Sequence, residues 1–266
     1  MNKFLLYLFI FQAGLNLSAQ NFILLDSLEF NADSIYLDNL GFIYTTNNNE
    51  VIKFTDKKDT LFQFSNKLNG KLEYIDVSNQ LRPLLFYKEN NLVVVCDNTL
   101  SPQNENIELA DLGFFQIQLV ASSRMDNGIW LYDNANFQLV KLNQNLQQVY
   151  QSGNLEILLD KEELEPIQLL EYQQKVYLLS KKHGILVFDN FGTYIKTISI
   201  ENIDFLQVLD NGIFYKKEGK YYFYDALNLI SEEIQLPQEN ILSVFWLKNS
   251  LYLFTKNKLC RYIAKS

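Results

Sequence analysis

Six times along this chain an aromatic residue sits inside a short apolar run: Tyr44, Tyr87, Trp130, Tyr177, Phe214 and Tyr252. The intervals between them are 43, 43, 47, 37 and 38 residues. A repeat of that length, made of short apolar runs separated by polar turns, is the period of a four-stranded propeller blade. Such a unit cannot bury both faces alone, so it demands neighbours on either side. Six repeats therefore predict an all-β, six-bladed β-propeller.

Each repeat reads as four strands. The first has apolar runs at 34–38, 42–44, 51–54 and 61–64, and the next four follow the same order through residue 234. Second strands are continuous apolar runs, as expected where both faces are buried. Fourth strands, such as Leu61-Phe62-Gln63-Phe64, alternate and are expected to face water on one side. Asp126-Asn127-Gly128 and Asp210-Asn211-Gly212 supply residues that tolerate positive φ in tight hairpins.

The sixth repeat has runs at 242–246, 251–254 and 259–262 and no fourth. An unassigned strand, Phe22-Ile23-Leu24-Leu25, lies within the segment at about 22–30, ahead of the first repeat. Pairing it onto the last blade would close the ring and leave no free sheet edge. The expected organisation is a signal peptide at 1–19 and one propeller domain at 20–266. With 4 Pro and 10 Gly in 266 residues, no Pro/Gly-rich linker divides the chain.

The signal reading rests on Lys3, the apolar run 4–11 and Ser18-Ala19-Gln20. The run is shorter than the roughly 20 residues that span a bilayer, and a retained N-terminal anchor is the alternative. No cysteine near residue 20 offers a lipid attachment point. A periplasmic or secreted protein is expected, with no integral membrane segment after cleavage. The net charge of −8 and the absence of a basic stripe argue against a nucleic-acid partner, because phosphate neutralisation supplies much of such affinity.

The run Asp38-Asn39-Leu40-Gly41-Phe42-Ile43-Tyr44 followed by Val51-Ile52-Lys53-Phe54 resembles the repeat of six-bladed propellers of the NHL/YWTD-like type. Residues 75–79, 84–87 and 93–98 resemble secreted bacterial propellers of unassigned function. The chain holds neither an Asn-His-Leu triplet nor Tyr-Trp-Thr-Asp. The resemblance implies the architecture and carries no activity, since propellers host unrelated functions.

His183 is the single histidine, at a hairpin tip, which leaves no usual triad or histidine-rich metal set. Cys96 and Cys260 fall on blades two and six, too far apart for a disulfide, and are expected to be buried thiols. The acidic run Asp160, Glu162, Glu163 and Glu165 reads as a solvated helical turn before Pro166. No cofactor is implied. Turns between second and third strands should share a face with the inter-blade links. There, blades four to six carry Lys181, Lys182, Lys216, Lys217, Lys256 and Lys258, whereas blades one to three carry mainly asparagine. Half of that rim would be basic, either to steer an anionic partner or simply for solubility.

These features favour a monomeric, non-enzymatic scaffold that binds a protein of the envelope or extracellular space. A second reading is a cation-dependent hydrolase or lactonase using Glu73, Asp76, Glu171 and Asp204 near the ends of inner strands. A third is glycan binding by rim aromatics such as Tyr87, Tyr132 or Tyr215, which fit a packing role as well.

Overall fold

The computed structural model describes residues 22–160 and 164–265. The signal segment at 1–19, Glu162 and Glu163 lie outside the described residues. Six four-stranded antiparallel sheets follow one another. Blade one contains β2 (Ser34–Leu37), β3 (Ile43–Asn47), β4 (Glu50–Phe54) and β5 (Thr60–Ser65), and blade two contains β6 (Tyr74–Asp76), β7 (Leu84–Tyr87), β8 (Leu92–Val95) and β9 (Ile107–Glu108). Blade three is β10 (Ile117–Ser122), β11 (Ile129–Asp133), β12 (Gln138–Leu142) and β13 (Gln148–Gln151), and it leads through the short helix α1 (Leu155–Leu159) into the fourth. Blade four is β14 (Pro166–Tyr172), β15 (Lys175–Ser180), β16 (Gly184–Asp189) and β17 (Tyr194–Ile198). Blade five is β18 (Ile203–Leu209), β19 (Gly212–Lys217), β20 (Lys220–Asp225) and β21 (Ile230–Ile234). Blade six takes β22 (Ser243–Leu247), β23 (Ser250–Phe254) and β24 (Lys258–Ala264) from the end of the chain and β1 (Phe22–Glu29) from its start.

The ring closes as the repeat count requires. Strand β1 pairs antiparallel with β24, from Phe22 opposite Ala264 to Glu29 opposite Lys258, with one irregularity between Leu24 and Asp26. Alternate side chains of each buried strand serve two different cores. Ile129 and Leu131 of β11 pack toward blade two, while Trp130 and Tyr132 pack toward blade four. Six such cores lie between successive blades, including one between blades six and one. Period-two alternation is what lets a single strand supply both.

Five of the six repeat aromatics are buried, and Tyr177 is partly so. Three of them face a cation across the sheet: Tyr44 pairs with Lys53, Trp130 with Lys141 and Tyr252 with Arg261. The buried Lys53 and Lys141 ammonium groups lie 5.2 Å from the Tyr44 and Trp130 ring centroids. Each cation keeps a polar partner, Asn98 O at 3.0 Å for Lys53 and Asp126 Oδ2 at 2.9 Å for Lys141. A buried charge held without such a partner would be strongly destabilising.

Neighbouring inner strands are joined by side chains in place of a backbone ladder. The Tyr74 hydroxyl donates to Val120 O at 2.6 Å and accepts from Val120 N at 2.7 Å. Gln168 does the same for Leu206, and Gln207 for Trp246, each with its amide N and O. An amide group presents one donor and one acceptor edge, which is what a peptide unit of a strand needs.

Three sequence expectations require correction. Outer strands do not alternate: all of Gln148–Gln151, and Leu61 and Phe62 among others of β5, are exposed. Blades splay outward from the ring axis, so their outermost strands lose cover on both faces. The described members of the acidic run, Asp160 and Glu165, lie outside a helix: α1 ends at Leu159, and Asp160 takes a left-handed φ of 50°. The turn glycines also act differently from the expectation. Asn127 takes φ 54°, yet Asp210 to Gly212 uses no positive φ. Gly212 is needed instead for space, since a Cβ there would lie 2.1 Å from Tyr224 O.

Cys96 and Cys260 are unpaired and buried, as the blade assignment requires. Burial pushes the Cys96 thiol up to about 12, so it resists modification in the native state. Denatured under non-reducing conditions, the protein is expected to titrate two thiols with a chromogenic disulfide reagent, and the folded protein essentially none. A reduction-sensitive gel shift with no free thiol would show the cysteines bridged.

Candidate functional site

Because strands alternate in direction, turns between second and third strands and the inter-blade links emerge on one face, here called upper. Turns between first and second, and between third and fourth, strands emerge on the lower face. The upper face holds the rim lysines flagged by the sequence and other residues that sequence reasoning missed.

The lysines lie in blades four to six as expected, but they are not equivalent. Lys181 Nζ lies 3.7 Å from Asp204 Oδ1, and Lys182 Nζ lies 2.9 Å from Glu165 Oε1. Lys216 Nζ lies over the Tyr221 ring at 5.6 Å. Among the described residues Lys216, Lys217, Lys256 and Lys258 make no ion pair, so the uncompensated positive charge belongs to blades five and six.

The asparagines of the other half-rim hold the inter-blade links in place. Asn49 Oδ1 accepts from Leu72 N at 3.1 Å, and its Nδ2 donates to Gly70 O. Asn90 Nδ2 donates to Asn69 O at 3.1 Å, and Asn91 Oδ1 accepts from Ile117 N at 3.3 Å. Asn136 O accepts from Asn154 Nδ2 at 3.2 Å.

Each link held in this way carries a large apolar side chain into solvent. Leu68 is 92% exposed on the link into blade two, Phe115 72% on the link into blade three, and Ile157 81% on α1 before blade four. The backbones of the first and third are capped. Asn66 Oδ1 accepts from Leu68 N and Asn154 Oδ1 from Ile157 N, both at 2.9 Å. Buried Leu155 and Phe114 anchor the neighbouring positions. Nothing local in the sequence singles out these three, because an isolated exposed apolar residue is ordinary. Recurrence on three successive links was the available signal.

The four carboxylates considered for a cation site do not converge in this way. Asp76 accepts from Ser78 N at 2.8 Å and Ser122 N at 2.7 Å. Glu171 is buried and accepts from Ser123 Oγ at 2.8 Å, Arg124 N at 3.1 Å and Trp130 Nε1 at 2.7 Å. Asp204 faces Lys181, as noted. Among the described residues no three His, Cys, Asp or Glu side chains form a metal-sized group. Asp76 and Glu171 are brackets between adjacent blades.

The three tyrosines considered for glycan stacking are core residues. Tyr87, Tyr132 and Tyr215 are buried, and burial raises each phenol, Tyr87 to about 12. Tyr132 lines a groove of about 270 Å³ beside Glu156 and Pro166, but its ring face is packed in the core between blades three and four. His183 lies in the β15–β16 turn, where its backbone N–H donates to Ser180 Oγ at 3.2 Å.

The molecule is thus a closed six-bladed β-propeller. No protein-family profile and no curated sequence matches the chain. Its fold is similar to that of virginiamycin B lyase from Staphylococcus aureus, with 11% identity over 87% of this chain and 80% of that one and a TM-score of 0.61. It is also similar to the Pan2 WD40 domain of Neurospora crassa, with 11% identity, 93% and 97% coverage and a TM-score of 0.56. A chain in the mitotic checkpoint complex aligns over 100% of both molecules at 8% identity, with a TM-score of 0.63. At such identities the shared property is the fold, which here spans a lyase, a WD40 domain and a chain of a multiprotein complex.

Proposed function

We propose that this propeller is a non-enzymatic scaffold whose upper face docks a protein outside the cytoplasm, in the envelope or the extracellular space. The observation that carries this reading is the row of Leu68, Phe115 and Ile157 on three successive inter-blade links. Apolar anchors on links whose backbone is already fixed require little loop ordering on binding, which is where affinity is otherwise spent. Lys216, Lys217, Lys256 and Lys258 complete the same face and suit a partner with an acidic rim; at physiological salt their reach is about 8 Å. The engagement of Asp76 and Glu171 with their own chain favours this over cation-dependent hydrolysis. The closed ring, with its seam paired, fits a monomer.

The test is affinity capture from the native envelope with the tagged protein, beside a Leu68→Ser/Phe115→Ser/Ile157→Ser variant. A partner retained by the parent is expected to be lost from the triple variant. Reversing Lys216, Lys217, Lys256 and Lys258 to Glu should slow association at low salt and change dissociation little. Identical capture by parent and triple variant would refute docking at this face. N-terminal sequencing of the exported protein checks removal of residues 1–19, and an intact N-terminus would refute cleavage.

A further inference from the structure

The lower face between blades two and three holds a groove of about 580 Å³, within the range of ligand pockets. The chain contains three arginines, Arg82, Arg124 and Arg261. Arg261 sits on the outside of blade six, paired with Asp26. The other two both line this groove, 42 residues apart in sequence and at equivalent turns of adjacent blades. Among the described residues neither makes an ion pair. One groove of an otherwise acidic molecule is thus lined by two arginines that lack an ion pair.

The rest of the wall is amide. Asn79, Gln103, Asn104, Asn127, Gln144 and Asn145 line it, with Leu81 as the one apolar contributor and no carboxylate. The two inner turns are tied together, since Arg82 Nη1 donates to Asn127 O and Asn79 Nδ2 donates to Asn127 Oδ1 at 3.4 Å. That fixes the Arg82 guanidinium with further N–H donors to spare. The nearby Asp126 forms its ion pair with Lys141, Oδ2 to Nζ at 2.9 Å, and reaches Arg82 only as a longer-range charge. No intramolecular hydrogen bond engages the side chains of Arg124, Gln103, Asn104, Gln144 or Asn145 among the described residues.

We propose that this groove binds an acidic saccharide, a hydroxyl-rich chain bearing carboxylates. Arginine presents a planar fork that matches a carboxylate with two parallel hydrogen bonds. Each amide offers donors and an acceptor together, which is the pairing that sugar hydroxyls require. An extended peptide is served less well. The wall consists of turn residues with no free strand edge for backbone pairing, and its one apolar residue gives side chains no pocket.

The experiment is calorimetric titration of the full chain, at physiological salt, with tetrasaccharides of galacturonate, mannuronate and guluronate. At least one is expected to bind saturably. Arg124→Gln should weaken that binding at least tenfold, the scale of a lost charge-assisted pair, while melting like the parent because its side chain makes no internal hydrogen bond or ion pair. Lys216→Glu/Lys217→Glu, on the opposite face, should bind unchanged. Absence of binding by all three acids, or equal binding of maltotetraose, would overturn the proposal. So would equal binding of tetraglutamate, or equal weakening in the lysine variant. Because this site and the docking face lie on opposite sides, failure of either leaves the other standing.

Discussion

Deletion of residues 22–29 is expected to abolish the soluble monomer or to lower its melting temperature by at least 15 °C. Strand β1 contributes seven register positions along β24. It also brings Phe22 to 6.0 Å from the Trp246 ring and sets Leu28 against the core between blades six and one. Backbone hydrogen bonds contribute about 1 kcal/mol each in net terms, so the strand accounts for roughly half or more of a total stability of about 5–15 kcal/mol. The exposed edge of β24 would then be free to pair between molecules. Size-exclusion chromatography and a thermal melt by circular dichroism decide the matter. A monomer that melts within a few degrees of the parent would show that blade six stands without its outer strand.

The second large effect is expected at Glu171. Its carboxylate is 5% exposed and satisfies Ser123 Oγ, Arg124 N and the Trp130 indole N–H across the blade three to blade four boundary. Glu171→Ala removes this acceptor from all three donors, although Ser123 Oγ retains Asp126 within reach. Unsatisfied buried groups cost about 1–3 kcal/mol each, giving a loss of about 4 kcal/mol and a fall in melting temperature of about 10 °C for a chain of this length. Trp130→Phe removes one donor and fills most of the same volume, so it should cost less than half as much. A Glu171→Ala protein within 3 °C of the parent would show that the bracket contributes little.

Blade number, strand order and the shared sixth blade were legible because their signals are local. Turn residues bound each apolar run, and a repeat of about forty residues counts the blades. The unpaired run at 22–25 was identifiable as the missing strand because three runs at the other end had no fourth. The candidate site was legible only in part. The lysines fall where the turn grammar puts them, but pairing of Lys181 and Lys182 with Asp204 and Glu165 depends on contacts between blades. The rim tyrosines were ambiguous between glycan stacking and packing for a related reason: Tyr87, Tyr132 and Tyr215 lie toward the ends of buried strands, and whether such an end reaches solvent depends on how far the next blade extends over it.

What the sequence by itself determined, then, is the ring. Alternation and turns act within a few residues, and six repeats with a spare strand at one end and a missing one at the other favour a closed ring over an open stack with exposed edges. What only the tertiary structure decided is which side chains meet. The angle and register between blades bring Glu171 onto Trp130 and place Arg82 and Arg124 in one groove. They also leave Leu68, Phe115 and Ile157 standing in water on one face. Those contacts join positions about forty residues apart, where burial and hydrogen-bond partners are set by packing between blades and no local pattern records them.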